Sequence, residues 1–140
     1  GTLDLLENLT NRGLELYLAS GTDIQYVQIE AELLGVTSYF KGRIFGALDQ
    51  YQAFSKARVI QDILQTYAVQ GDQLLGLGDG CVEIENVKTV GGTAVGVASD
   101  EIRREGVNAW KRDRLMAVGA DLIVPEYREQ YLLISYLCND

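Results

Sequence analysis

The sequence predicts an α/β protein in which a mainly parallel sheet carries helices on both faces. Three observations lead there. Short apolar runs alternate with stretches of helical periodicity. Glycines close the helical stretches, at Gly13, Gly35 and Gly91-Gly92. An acidic residue also stands at the carboxyl end of one apolar run, where open α/β sheets gather their active sites.

Leu3, Leu6, Leu9 and Thr10 fall at helical spacing, so a helix is expected over 3–12, ended by Gly13. Leu14 to Ala19 is a mostly buried strand that stops at Ser20-Gly21. Thr22 with Gln25 forms a capping-box pattern for a helix through about Leu34, stopped at Gly35. Arg43-Ile44-Phe45 suits a short strand. Phe54 to about Val69 is amphipathic, with Val59, Ile60, Ile63, Leu64 and Tyr67 on one face. A strand over Leu74–Leu77 runs into Gly78-Asp79-Gly80, and a helix over 82–90 follows. Thr93 to Ala98 is a strand of small apolar residues, and Glu101 to about Val118 is expected to be helical. Asp121–Val124 makes a last strand and Glu126–Leu137 a last helix, with Pro125 at the junction. Trp110 is expected to pack with Val107 and Ile102 in the core or at an interface. No repeat or linker interrupts the pattern, so residues 1–140 are taken as one domain.

Composition narrows the chemistry. With 47% apolar and 23% charged residues the chain is a folding sequence, not a disordered one. No apolar run approaches the roughly 20 residues of a membrane span, and no signal peptide is visible. Two cysteines, Cys81 and Cys138, are too few for a disulfide framework, which makes a reducing cytoplasmic setting the expectation. A net charge of −8 disfavours nonspecific binding to nucleic acid or to an anionic membrane. Arg103, Arg104, Lys111, Arg112 and Arg114 cluster, but acidic neighbours alternate with them, as on a solvated helix face. Histidine is absent, which excludes Ser-His-Asp and Cys-His catalysis and histidine-ligated zinc within this chain. Carboxylates, lysine, hydroxyls and thiols are what remain.

Three polar positions share one sheet edge if the strands are parallel. Ser20 ends the first strand, Asp79 ends a later one, and Lys56 opens the helix between them. A hydroxyl and an ammonium neutralise phosphoryl oxygens, and a cation held by Asp79 and Glu83 shields charge and orients the group for attack. An exposed carboxylate pair suits a hard, oxygen-liking ion such as Mg²⁺. Simpler readings stand beside this one. Asp79 can be a plain turn residue, Ser20 a hydroxyl satisfying local backbone, and Glu83 an exposed helix residue with Glu85 competing for its role. Gly76-Leu77-Gly78-Asp79-Gly80 is a poor dinucleotide fingerprint, because Asp79 repels a pyrophosphate and Cys81 replaces the last glycine. Cys81 suits a small buried hydrophobe better than a reactive thiol.

In order, Leu18-Ala19-Ser20-Gly21, Ser55-Lys56-Ala57 and Gly78-Asp79-Gly80 with Glu83 resemble motifs two, three and four of the haloacid dehalogenase-like hydrolases. The resemblance covers nearly the whole chain. It implies a Rossmannoid three-layer core. Ser20 and Gly21 would then bind a phosphoryl oxygen, Lys56 would stabilise the charged intermediate, and Asp79 and Glu83 would hold Mg²⁺. It also implies a phosphomonoester of a small metabolite or sugar phosphate as substrate. The family's nucleophile, the first aspartate of an Asp-x-Asp on a central strand, has no counterpart here. The nucleophile strand is thus expected from a missing amino-terminal segment or a partner chain, including a second copy, and the chain alone is expected to be inactive. The alternative is a noncatalytic phosphate-binding or regulatory domain of the same fold.

Overall fold

The computed structural model describes residues 1–47 and 55–138. The expected helix start at Phe54 lies outside those residues. Every strand pairing is parallel, and the fold is α/β, as the alternating periodicities predict. The chain divides into two compact units, Gly1–Val59 with Tyr127–Asp140, and Ile60–Glu126.

The first unit holds α1 (Thr2–Asn11), β1 (Leu18–Asp23), α2 (Ile24–Leu33), α3 (Thr37–Phe40), β2 (Ile44–Ala47), the start of α4 (Lys56–Tyr67), and α7 (Gln130–Cys138). Among the described residues β1 pairs with β2 alone. Ala31, Val36 and Phe40 form a buried cluster, flanked by Leu6, Leu16, Leu18, Tyr39 and Ile44. The one buried polar residue among those described, Gln130, accepts a hydrogen bond from Asn8 Nδ2 at 3.1 Å, so burial does not leave its carbonyl orphaned.

β1 begins later than the apolar run suggests. Gly13 adopts φ +79°, and Leu14 is 45% exposed. The Leu14 amide closes on the Leu9 carbonyl at 3.2 Å, and Glu15 to Tyr17 is tied by one side chain instead of a ladder. Arg43 Nε donates to the Leu16 carbonyl at 3.0 Å, its guanidinium pairs with Glu15, and it lies over the Tyr17 ring at 5.2 Å. Ladder bonding starts with Leu18 N–H to the Arg43 carbonyl at 3.0 Å. The strand therefore carries Ser20 and Gly21 inside it, where the sequence placed them after its end. Thr22 likewise belongs to β1, and Asp23 is the residue that precedes α2, with no side-chain capping bond. The final helix also starts late, at Gln130, so Pro125 sits in the turn before it.

The second unit is built from β3 (Leu75–Gly78), α5 (Cys81–Thr89), β4 (Thr93–Val97), α6 (Ala109–Ala117) and β5 (Leu122–Val124), in sheet order β3-β4-β5. These are two successive βαβ units. Ile84 and Val87 of α5, Ala94 and Ala98 at β4, and Leu115 of α6 make one buried cluster. Lys88 and Asp121 tie the amino-terminal edge of this sheet. The Lys88 ammonium donates to both Asp121 oxygens at 2.9 and 2.8 Å, and Asp121 accepts the Ala94 amide at 2.8 Å.

Helical structure over 101–118 is confined to its second half. Arg104 and Gly106 take positive φ (58° and 72°), which an α-helix interior forbids. Asp100 accepts the amides of Ile102 and Arg103, and Ser99 bridges Val107 in antiparallel fashion. The α-helix starts only at Ala109, where Asn108 Oδ1 accepts the Lys111 amide at 3.0 Å. The basic residues thus divide between a loop and a helix. Ile102 and Trp110, expected to pack together, are 95% and 65% exposed, and Trp110 instead lies under the Arg114 guanidinium at 4.4 Å.

Candidate active site

In the second unit the parallel strands direct their carboxyl ends toward Asp79 and the 99–107 loop. Asp79 itself is exposed, one residue past β3, and α5 begins two residues later at Cys81. Glu83 sits in the first turn of α5, where a carboxylate also suits the helix dipole. Its side chain folds back toward the loop. A Cβ added at Gly80 would lie 2.1 Å from Glu83 Oε2, and one added at Gly78 would lie 3.1 Å from Glu83 Cβ. Neither glycine takes a positive φ. Their part here is to leave room for Glu83.

That cradle brings the Glu83 carboxylate over the backbone next to Asp79. Two carboxylates of this kind fit a hard divalent cation as a partial ligand set, and no group of three or more His, Cys, Asp or Glu that could hold a metal exists among the described residues. Glu85 is exposed and two positions on, about 200° around the helix, so it does not share this face. Cys81 is half-buried and free, with its thiol 3.9 Å from the Arg114 carbonyl.

In the first unit, Ser20 Oγ accepts the Thr22 amide at 3.2 Å, which gives the hydroxyl a local backbone role. The β1 register shifts between Ala19 and Asp23. This irregularity packs against Gly46 of β2, where an added Cβ would meet Ile24 Cα at 2.7 Å and the Thr22 carbonyl at 2.8 Å. Gly21 is exposed with open space around its Cα. Lys56 is the first residue of α4 and is half-buried.

Sequence reasoning gave Lys111 only a place on a solvated helix face and did not pair it with Glu101. Lys111 Nζ donates to Glu101 Oε1 at 2.6 Å. That hydrogen bond, with the negative fields of Glu101, Asp79 and Asp100, holds the ammonium's pKa above its ordinary value, against a smaller opposing effect of desolvation. The signal lay in Gly106 and Asn108, a helix breaker followed by a cap, which together move Lys111 from mid-helix to a first turn at the sheet edge.

No protein-family model and no curated protein matches the sequence. Solved structures do. A haloacid dehalogenase-like hydrolase from Streptococcus pneumoniae is similar with TM-score 0.72 and 25% identity, over 94% of this chain and 57% of that one. A haloacid dehalogenase family hydrolase from Deinococcus radiodurans, with bound phosphate and sodium, is similar with TM-score 0.74 and 12% identity, over 95% and 57%. A β-phosphoglucomutase from Clostridium difficile is similar with TM-score 0.67 and 17% identity, over 99% and 56%. The chain spans little more than half the length of each of these structures. It carries the haloacid dehalogenase-like fold.

Proposed function

We propose that this chain is part of a Mg²⁺-dependent haloacid dehalogenase-like phosphohydrolase that cleaves a phosphomonoester of a small metabolite, such as a sugar phosphate. The observation that carries this reading is the Glu83 carboxylate folded over Gly80 beside Asp79, at the carboxyl end of a parallel strand. Asp79 and Glu83 would hold Mg²⁺, which supplies charge shielding and orientation to the phosphoryl group. Ser20 and Gly21 are assigned to a phosphoryl oxygen, to which the Ser20 O–H would donate while its Oγ continues to accept the Thr22 amide. Lys56 is assigned to the charge that develops on the phosphoryl oxygens in the transition state. The nucleophile belongs to a strand that this sequence does not contain, since no Asp-x-Asp occurs in it. Among the described residues β1 and β3 are each paired on one side only, which leaves an edge for an added strand from a further segment or a partner chain.

The 140-residue chain by itself is expected to turn over p-nitrophenyl phosphate with Mg²⁺ no faster than a buffer blank. Robust Mg²⁺-dependent turnover by the pure protein would refute the assignment of the nucleophile elsewhere. The missing Asp-x-Asp also favours a second reading, a phosphate-binding or regulatory domain without chemistry. Calorimetric titration with phosphate and Mg²⁺ distinguishes it, since that reading requires saturable heat at millimolar ligand.

A further inference from the structure

Lys111 occupies an unexpected place for a surface lysine. β3 and β4 run in register, Gly78 opposite Gly96, so Asp79 stands beside the end of β4 and the loop that follows it. The Asn108 amide donates to the Ala98 carbonyl at 2.8 Å, which closes that loop and delivers α6 to the same edge. Cys81, two residues after Asp79, touches the Arg114 carbonyl, three residues and just under one helical turn beyond Lys111. The Lys111 side chain is held inward, 22% exposed, while its partner Glu101 is 75% exposed. Asp100 is committed to the amides of Ile102 and Arg103, which leaves Glu101 as the acid that holds the ammonium.

We propose that Lys111 is a positioning residue for the Asp79 carboxylate: a resident ammonium, tethered by Glu101, that competes with a divalent cation at Asp79 and Glu83. This deepens the proposed function and rests on its assignment of a cation to that pair. Asp79 already contributes to the field around Lys111. β3 and α6 meet at one sheet edge, so a dication at Asp79 would share that edge with the Lys111 ammonium, and salt would screen their repulsion over roughly 8–10 Å. Repulsion of that kind at a solvated surface lowers affinity by about three- to tenfold. Glu101 limits the effect, because it draws the ammonium toward the loop and away from Asp79.

The test is a Mn²⁺ titration of the 140-residue chain, read as loss of the free-ion signal in electron paramagnetic resonance. Lys111→Met and Lys111→Gln are expected to bind about three- to tenfold more tightly than the wild type, Lys111→Arg to bind as the wild type does, and Glu101→Gln to bind more weakly. General loosening of the edge would weaken every variant, so the opposite signs separate positioning from structural damage. Unchanged or weaker binding in both Lys111→Met and Lys111→Gln overturns the inference, as does tighter binding in Glu101→Gln. Asp79→Asn serves as the check on the underlying site. If it binds Mn²⁺ as the wild type does, or if the wild type takes up none at 10 mM (about the weakest affinity of interest for an oxygen-ligand site), the cation assignment itself fails and this inference with it.

Discussion

Replacing Asp121 with alanine should cost about 2–3 kcal/mol, and replacing it with asparagine less than about 1 kcal/mol. The difference follows from what each change leaves behind. Asp121 accepts the Ala94 amide at 2.8 Å, and Ala94 is wholly buried. Alanine removes the acceptor and strands a buried N–H, a loss of about 1–3 kcal/mol. Asparagine keeps a carbonyl oxygen for that amide and gives up only the ion pair with Lys88. Both side chains of that pair are a third or more exposed, at 33% and 39%, so solvent screening reduces its worth to about 0.5 kcal/mol. Urea unfolding of the three proteins, with amide exchange at Ala94 read by NMR, checks this. Exchange at Ala94 should accelerate more than about tenfold in Asp121→Ala and little in Asp121→Asn. Equal destabilisation by both substitutions, or an alanine variant within about 0.5 kcal/mol of wild type, would refute the reasoning. The same site fixes a pH dependence. The Lys88 hydrogen bond, and then the Ala94 amide, hold the Asp121 carboxyl below its ordinary 3.8, against the opposing effect of burial. The ion pair's contribution is therefore complete above that pH and disappears as pH falls through the folded-state value. The gap between wild type and Asp121→Asn should close in acid below 3.8.

Two further outcomes bear on the elements that frame the site. Asn108→Ala removes the side-chain cap of α6 and should destabilise by about 1 kcal/mol, whereas Asn108→Asp should be nearly neutral; thermal unfolding measures both. Gly76→Ala would push a methyl to within 2.3 Å of Val87 Cγ2 in the buried cluster and should cost about 1–3 kcal/mol. Pairing it with Val87→Ala should recover about 1 kcal/mol relative to the sum of the single changes in a double-mutant cycle, and strict additivity would show that the two positions do not meet.

The fold was legible where periodicity and punctuation agreed. Gly35 and Gly91 stop α2 and α5 close to where the apolar pattern ends, and the strands at Leu75 and Thr93 follow from short apolar runs between turn residues. Errors arose where a side chain replaced a backbone ladder. Leu14 to Tyr17 has the composition of a strand, yet Arg43, distant in sequence, satisfies it, and no local pattern announces that. The stretch from Glu101 to Asn108 has good helix formers, but Asp100 captures two amides and Gly106 takes a left-handed conformation, so a tight loop wins. At the candidate site the sequence pointed to Asp79 and Glu83 by spacing alone. It gave Lys111 only a solvated helix face, because its pairing with Glu101 runs across a loop and not along a helix face.

The glycines around Asp79 have a consequence for how this segment can change. The side chain at 83 lies on positions 78 and 80, with its Cβ against 78 and its carboxylate against 80, so the size allowed at 80 is coupled to the length of residue 83. With a long acidic side chain at 83, any Cβ at 80 must push its carboxylate aside. With alanine or serine at 83, that restriction is lifted and position 80 should accept larger residues. A substitution library over this loop would accordingly recover side chains at 80 more often in clones that have shortened residue 83, since a full-length Glu83 must first swing its carboxylate aside.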